Sequence, residues 1–293
     1  MFKTILVPLS GTDADVALLS TSLEFLRPFA GHMECVRVVP SPAALVAQSI
    51  SMDAASGLLL AEMMRSLEQR EQAKTERART TFAQFCKAHQ IAQVNKPPGG
   101  PSVTAAWREQ SGDECATIKT LARFYDAVAL AAGQERSGRL PSDDLGEIIL
   151  SSGRPVLLAP ERPISGAIDT IAVAWKDTRE AAVAITAAMP LLARATRIEV
   201  LSVNEEDGDE QKCLDCSDNI VEQLRWHELN AYGRFVLPAG RSAPQAVLET
   251  ARGLHADLLV MGAYGRSRFR EFLLGGFTRH ILKGVDLPVF AAH

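Results

Sequence analysis

Long apolar runs are missing from this 293-residue sequence. No stretch approaches the ~18 consecutive apolar residues that a membrane-spanning helix needs. The opening segment, Met1–Pro8 (MFKTILVP), has an apolar stretch too short for a secretory signal peptide. We therefore expect a cytoplasmic protein with no membrane partner.

Basic residues are not in excess either. Lys and Arg total 31 against 35 Asp and Glu, which gives a net charge of -4 and a pI near 5.9. A nucleic-acid-binding domain usually needs a basic face, so we expect no nucleic-acid partner.

Cysteine is scarce, and its number is odd. The five cysteines are Cys35, Cys86, Cys115, Cys213 and Cys216. Reduced thiols are the expectation for a large chain of this kind. The spacing of Cys213 and Cys216 fits a zinc or redox pair, but no second pair follows, so we interpret them as part of a helix start and predict no metal site.

The chain consists of two halves with one pattern. Each half opens with a short apolar strand, Lys3–Leu9 or Asp169–Trp175, and closes on another, Pro155–Ala159 or Pro288–Ala292. Amphipathic helices alternate with the strands between them. Such alternation is typical of βαβ units with a parallel sheet. Nearly continuous apolar strands indicate that helices cover both faces.

This pattern predicts an α/β fold of two doubly wound (Rossmann-like) parallel-sheet domains in tandem, packed about a pseudo-two-fold axis. We expect the domains to be 1–160 and 167–293, with Glu161–Gly166 as a linker because Pro163 and Gly166 interrupt any periodicity. The final strand of each half is apolar, and pairing across the axis would cover two exposed sheet edges. The prediction is an intramolecular pseudo-dimer, and a further homodimer of two chains stays open.

Glycines follow the fourth strand of the second half. Two residues separate Gly262 from Gly265, and after nine further residues Gly275 and Gly276 precede a predicted helix, Phe277–Lys283. In open α/β sheets, ligands bind at the carboxyl ends of the strands. Glycines there let backbone N–H groups approach phosphate, and a helix N-terminus adds free N–H groups. The stretch therefore predicts a phosphate-binding loop.

The same stretch is locally basic. Between residues 262 and 283, five cations stand against one anion, which makes +4 in a chain that is -4 overall. The cations are Arg266, Arg268, Arg270, Arg279 and Lys283. This balance suits an anionic ligand, and a solvated loop face is the alternative interpretation.

At this point the sequence resembles the universal stress protein family. That family's fingerprint is Gly-x-x-Gly, nine residues, then Gly followed by Ser or Thr, after the fourth strand; Gly262, Gly265 and Gly275 match it. The segments Ala174–Ala181 (AWKDTREA) and Leu287–Val289 (LPV) are also similar to the family. The resemblance extends over nearly the whole chain, once per half, as in a tandem universal stress protein.

Nucleotide-binding members of the family hold ATP, so the resemblance implies ATP, with Mg²⁺, as the candidate ligand of the second half. Val203 would lie near adenine and the glycines near phosphate. The implied binding residues are Ala174, Trp175, Lys176, Val203, Gly262, Gly265, Arg266, Gly275, Gly276 and Phe277. Two of them depart from the family pattern: Lys176 stands where an Asp contacts the nucleoside, and Gly276 stands where Ser or Thr is expected.

The first half lacks the fingerprint. Its corresponding stretch, Ala131–Leu150, has glycines at other spacings and holds two arginines against four acids, a balance of -2. Ser10 stands where the family's Asp would be. The negative charge of this stretch would disfavour the binding of a phosphate. We therefore expect the first half to be a degenerate copy that is structural or binds something else.

Three functions stay open. The first is a stress-response binding module whose second half binds ATP or a related adenine nucleotide. The second is a nucleotide-free scaffold that acts through protein partners. The third is a weak ATPase, although no nucleophile, base and carboxylate can be grouped from the sequence and no catalytic residue is assigned.

Overall fold

A computed structural model describes residues 1–41, 57–97, 100–133, 140–203, 210–263 and 276–293. In the N-terminal half the elements are β1 (Thr4–Pro8), α1 (Ala14–Leu26) with a 3₁₀ turn (Arg27–Phe29), β2 (His32–Val39), α2 (Gly57–Ala88), β3 (Ala92–Gln93), β4 (Thr104–Ser111), α3 (Glu114–Ala122), β5 (Ala127–Ala131), α4 (Ser142–Ser151) and β6 (Val156–Ala159).

The C-terminal half repeats this series. Its elements are β7 (Thr170–Trp175), α5 (Arg179–Leu192), β8 (Arg197–Val203), α6 (Glu210–Trp226), β9 (Ala231–Val236), α7 (Ala243–Gly253), β10 (Leu258–Gly262), α8 (Gly276–Leu282) and β11 (Val289–Ala292). The sequence pattern predicted the main strands and helices of both halves, but it did not indicate the short strand β3 or the helix α4.

All the described strands belong to one eleven-stranded sheet. Its order is β3-β4-β2-β1-β5-β6-β11-β10-β7-β8-β9. Leaving β3 aside, each half places its third, second, first, fourth and fifth strands in that order, which is a doubly wound arrangement. The order reverses between β1 and β5 and again between β7 and β10, and these are the switch points at which ligands bind in such sheets.

The two halves meet through their last strands. β6 and β11 pair antiparallel, with Val156 opposite Ala291 and Leu158 opposite Val289, whereas the other pairs in the sheet are parallel. This confirms the predicted pairing across a pseudo-two-fold axis. The domain bounds 1–160 and 167–293 remain our proposal, and the linker between them lies on α1, where Ser20 Oγ donates to the carbonyl of Ile164 at 2.5 Å.

Aromatic packing reinforces the junction. Phe290 on β11 stacks on Phe25 of α1 with ring centroids 6.1 Å apart, and it meets the edge of Phe2 at 5.8 Å. Phe25 and Phe290 are fully buried. Side chains from both halves therefore form one continuous core on this face of the sheet.

Each half anchors its first strand with one carboxylate. Asp126 Oδ2 accepts the backbone N–H groups of Lys3 and Thr4 at 2.6 and 2.9 Å. Asp257 Oδ2 accepts those of Asp169 and Thr170 at 3.0 and 2.8 Å. Thr4 and Thr170 are thus equivalent positions, which fixes the alignment of the two halves.

No helix in the described part of the chain combines the length and apolar character needed to cross a bilayer.

Replacing Phe290 with Ala is expected to lower the free energy of unfolding by ~3–5 kcal/mol, because it leaves a cavity where the two halves meet. Urea denaturation followed by circular dichroism measures the change. Phe124→Ala is the control, since that ring is 78% exposed and its removal should change the free energy by less than ~0.5 kcal/mol. Equal effects of the two substitutions would contradict a packed junction.

Candidate functional site

The candidate site lies at the carboxyl ends of β7 and β10. These neighbouring strands pair with Met261 opposite Ala174, so Gly262 follows directly beside the end of β7. Trp175 ends β7 opposite Ser202 on β8, and Val203 ends β8. The structure therefore brings the predicted residues of the strand ends to one edge of the sheet.

The two faces of the sheet separate these residues. Trp175 packs against the core on the face of α5 and α6, whereas Ala174 and Val203 pack against the core on the face of α7 and α8. Neighbouring residues of a strand point to opposite faces. Ala174 and Trp175 therefore border the strand ends from different sides, although the sequence analysis grouped them in one site.

The predicted phosphate loop falls largely outside the described residues. Gly265, Arg266 and Gly275 all lie there, and the described chain resumes at Gly276, the first residue of α8. Phe277 is partly buried against the core of the α7 and α8 face. The predicted roles of these residues in phosphate binding stay predictions.

Both ends of the loop are fixed. At its start, the Ala263 N–H donates to the Ala292 carbonyl at 2.8 Å, and Nδ1 of His293 lies 3.0 Å from the Ala263 carbonyl. At its far end, Thr278, Ile281 and Leu282 of α8 are buried. The loop thus spans two anchored points at the switch point of the sheet.

Gly262 has a packing role that the sequence analysis missed. A Cβ atom added at Gly262 would lie 2.5 Å from the Ala181 nitrogen and 2.5 Å from the Glu180 carbonyl carbon. Both are backbone atoms of the first turn of α5. Any side chain at this position would force the end of β10 away from α5, so glycine is needed here with or without a phosphate.

We expect Gly262→Ala to lower the free energy of unfolding by ~1–3 kcal/mol, the usual cost of overpacking. Gly253→Ala is the matched control because a Cβ there meets nothing within 4 Å. Thermal and urea unfolding measure both variants. A Gly262→Ala protein as stable as the control would rule out the close approach.

The turn between β7 and α5 is locally satisfied. Thr178 is the N-cap of α5: its Oγ1 accepts the Ala181 N–H at 3.3 Å, and its own N–H donates to the Lys176 carbonyl at 2.7 Å. Lys176 and Asp177 are exposed. Lys176, which occupies the position of the Asp expected from the family resemblance, is therefore exposed to solvent at the switch point between β7 and β10.

In the N-terminal half, the turn between β1 and α1 is equivalent to the turn between β7 and α5. There a side chain of the protein itself, Asp15, places its carboxylate on the turn. Oδ1 of Asp15 accepts the N–H and the hydroxyl of Ser10 at 2.9 and 3.0 Å, and its Oδ2 accepts the Gly11 N–H at 2.8 Å. Asp15 is 1% exposed. Its carboxylate takes the amides that an anionic ligand would need. That this half receives phosphate poorly stays a prediction.

Helix α2 covers the same turn between β1 and α1. A Cβ at Gly11 would lie 2.2 Å from the Lys74 carbonyl oxygen, so the α2 backbone lies directly on the turn. Arg37 on β2 is buried and donates to Glu71 of α2 at 2.5 Å. The sequence analysis did not single out Asp15 or Arg37, because neither belongs to a motif.

Burial raises the pKa of the Asp15 carboxyl, while the amide donors of Ser10 and Gly11 and the charge of Arg37 act to lower it. Above the unfolded-state pKa of about 3.9, the folded state then binds more protons than the unfolded state. The folded protein therefore loses stability as pH rises through this window. The loss is complete once pH exceeds the raised pKa.

Asp15→Asn abolishes this titration. The free energy of unfolding of the wild type, minus that of the variant, is expected to fall as pH rises above about 3.9, the unfolded-state pKa of an aspartate. Urea unfolding at a series of pH values measures it. Asp13→Asn, at a side chain that is 96% exposed, controls for the change in net charge. A difference that rises with pH would show that the burial of Asp15 does not dominate.

A second cluster of polar side chains lies between α3 and α4. Ligand-type atoms of Cys115, Asp144 and Glu147 lie within 4.8 Å of one another. Glu147 is paired with Lys119. Burial raises the pKa of the Cys115 thiol to about 12, so the thiol stays protonated, and a metal would have to displace both the proton and the lysine.

The fold and part of the sequence match known proteins. Residues 235–293 match the model of the Universal stress protein family. No curated protein matches the chain. The structure resembles a universal stress protein from Archaeoglobus fulgidus DSM 4304 with a TM-score of 0.64 and 14% identity, over 99% of this chain and 95% of that one.

A functionally unknown protein from Pseudomonas aeruginosa PAO1 is also similar, with a TM-score of 0.57 and 13% identity over 99% of this chain and 92% of that one. Both likenesses span both halves, which agrees with the tandem organisation predicted from the sequence. The family model thus matches residues 235–293, and the whole chain shares its fold with a solved universal stress protein.

Proposed function

We propose that the protein is a stress-response binding module whose C-terminal half holds ATP or a related adenine nucleotide. The observation that carries this proposal is a difference between the halves at one position. Asp15 lies eleven residues after Thr4, and Ala181 lies eleven residues after the equivalent Thr170. Where the N-terminal half places a carboxylate on the turn amides, the C-terminal half has a methyl group.

The surroundings of the C-terminal switch point support an anionic ligand. Arg279, in the last turn of α8, and Lys283, just beyond that helix, are exposed. Three further arginines belong to the loop sequence itself, among them Arg266. A nucleotide seated at the strand ends would place its phosphates, with Mg²⁺, toward this positive charge.

The departures at Lys176 and Gly276 favour the second candidate, a nucleotide-free scaffold that acts through protein partners. Lysine cannot accept the hydroxyl hydrogen bond that a carboxylate accepts. Glycine offers a backbone N–H but no hydroxyl group. We expect at most slow hydrolysis under either function.

Cellular location and assembly are part of the same proposal. Four cysteines in the described chain are free thiols: Cys35, Cys86, Cys115 and Cys216. Reduced thiols suit a cytoplasmic protein. We place the protein there as an intramolecular pseudo-dimer, and sedimentation analysis would report a homodimer of two chains if one forms.

Isothermal titration calorimetry with Mg²⁺-ATP tests nucleotide binding. The wild type is expected to bind, and Gly265→Asp is expected to weaken binding at least tenfold, because it puts a carboxylate beside the phosphates. Gly265 is preferred to Gly262 as the target because the latter also packs against α5. Gly253→Asp, at an uncrowded glycine, controls for the added charge.

No heat from the wild type at millimolar ATP would reject the nucleotide proposal and favour the scaffold. Binding that Gly265→Asp leaves unchanged would place the nucleotide away from the glycine loop. Absorbance of the purified protein at 260 nm is a simple companion measurement, since it reveals a nucleotide that co-purifies.

A further inference from the structure

Strand β9 forms one edge of the eleven-stranded sheet. It pairs parallel with β8 from Ala231 to Val236, and no described strand lies on its outer side. Its central residues, Tyr232, Gly233 and Arg234, are exposed. The strand contains no proline, so every residue keeps its backbone N–H. An unpaired edge of this length is a template for pairing with another chain.

The free backbone groups of this edge can be assigned. The Ile198 N–H of β8 donates to the Asn230 carbonyl at 2.9 Å. In a parallel ladder, the residues of a strand turn their backbone groups alternately to one side and to the other. Asn230 and every second residue after it therefore face β8. Gly233 and Phe235 direct their N–H and C=O groups outward.

Large apolar side chains are exposed along the same edge. Tyr232 is 41% exposed, and Leu237, just after the strand, is 65% exposed. Nε of Arg225 donates to the Ala231 carbonyl at 3.1 Å, so the end of α6 stands beside the start of β9. Trp226, the last residue of α6, is 82% exposed. Three of the seven exposed large apolar side chains of the described chain thus lie here, and such a cluster is typical of an interaction surface.

We propose that the β9 edge is the interface of a homodimer, in which the β9 strands of two chains pair antiparallel about Gly233. The last strands of the two halves, β6 and β11, already pair within one chain. The proposed dimer therefore uses a different edge, with the same antiparallel pairing of equivalent strands. It goes beyond the proposed function and does not depend on a nucleotide.

The side chains of β9 select this register. A two-fold axis at Gly233 places this glycine opposite its own copy as a hydrogen-bonded pair, and the missing side chain lets the two backbones approach. Tyr232 then stands opposite the partner's Arg234, which forms a cation–π pair twice over. An axis at Arg234 would instead set two like charges opposite each other, at a residue whose backbone groups already face β8.

The charges around β9 suit this pairing. Nε of Arg234 lies 2.7 Å from Oε2 of Glu199, and Arg197 pairs with the same carboxylate at 2.6 Å. The guanidinium of Arg197 lies 4.9 Å from the centre of the Tyr232 ring. In the dimer, the second face of that ring is available to the partner's Arg234. The buried Glu199 carboxylate partly neutralises both guanidinium groups, so they tolerate one another.

The same axis covers the remaining apolar side chains. In an antiparallel pair, the end of one strand lies beside the start of the other. The partner's Leu237 therefore comes to the end of α6, where Trp226 is exposed. Phe235 stands opposite the partner's Ala231, whose carbonyl keeps a second lone pair beside its bond to Arg225. Each contact occurs twice, because the interface is two-fold.

Analytical ultracentrifugation of the full chain over the micromolar range tests the proposal. The wild type is expected to form a reversible dimer. Tyr232→Lys should weaken it by about tenfold or more, because a lysine then stands opposite the partner's Arg234 at two places. Leu237→Lys should weaken it as well. Phe124→Lys is the matched control, since it changes an aromatic ring that is 78% exposed in the N-terminal half, and it should leave the dimer unchanged.

A cysteine at the axis tests the register. The Cα atoms of a hydrogen-bonded antiparallel pair are about 5.5 Å apart, which is within the reach of a disulfide. Under mild oxidation Gly233→Cys should therefore give a covalent dimer. Gly253→Cys, where an added Cβ meets nothing within 4 Å, and the wild type with its native cysteines should not.

Three results would overturn the proposal. A wild type that stays monomeric at the highest concentration would leave the edge to an extended segment of a different protein. A dimer that Tyr232→Lys and Leu237→Lys leave intact would lie on another surface. Equal cross-linking of Gly253→Cys and Gly233→Cys would rule out the pairing about Gly233. Melting temperatures are measured for every variant, and if Tyr232→Lys does not fold, Leu237→Lys and Gly233→Cys still decide the matter.

Discussion

The antiparallel pairing of β6 with β11 is the constraint on which the rest of the molecule depends. Each of these strands has only four residues, and all eight are buried. Such short strands gain little from hydrogen bonds alone, so the packing of Phe290 and its neighbours on the faces of the sheet supplies much of the stability. The pairing also removes the two edges that separate domains would expose.

The same junction sets the position of the candidate site. β11 pairs with β10 along its whole length, and the residues that follow the two strands continue the contact through Ala263 and Ala292. The carboxyl end of β10 is therefore held from one side by β11 and from the other by β7. The start of the glycine loop is therefore hydrogen-bonded and packed in the same way as the strands beside it.

The sequence was sufficient to predict the two halves, their parallel sheets and the pairing of their last strands. Those features follow from hydrophobic periodicity and from the need to cover apolar edges, both of which are local or nearly local signals. Even the placement of Ala174 and Trp175 on opposite faces could have been inferred, because alternation along a strand requires it. The predicted roles of Gly265, Arg266 and Gly275 remain untested.

Other features had no local signal. The carboxylate of Asp15 reaches back onto the turn before its own helix, and in sequence it is one acid beside another, Asp13. The pairing of Arg37 with Glu71 joins residues from β2 and the long helix α2, which only the folded topology brings together.

The crowding at Gly262 changes what a glycine fingerprint can report. The first glycine of the pattern lets α5 cross closely over the end of β10, and this packing in the C-terminal half is needed whether or not a ligand is bound. The equivalent position of the N-terminal half is Ala131, at the end of β5, so the close crossing is a feature of the C-terminal half and not of the fold in general. In this half the first glycine therefore reports packing, and only the later glycines, together with the residues at the strand ends, can distinguish a nucleotide binder from a scaffold of the same shape.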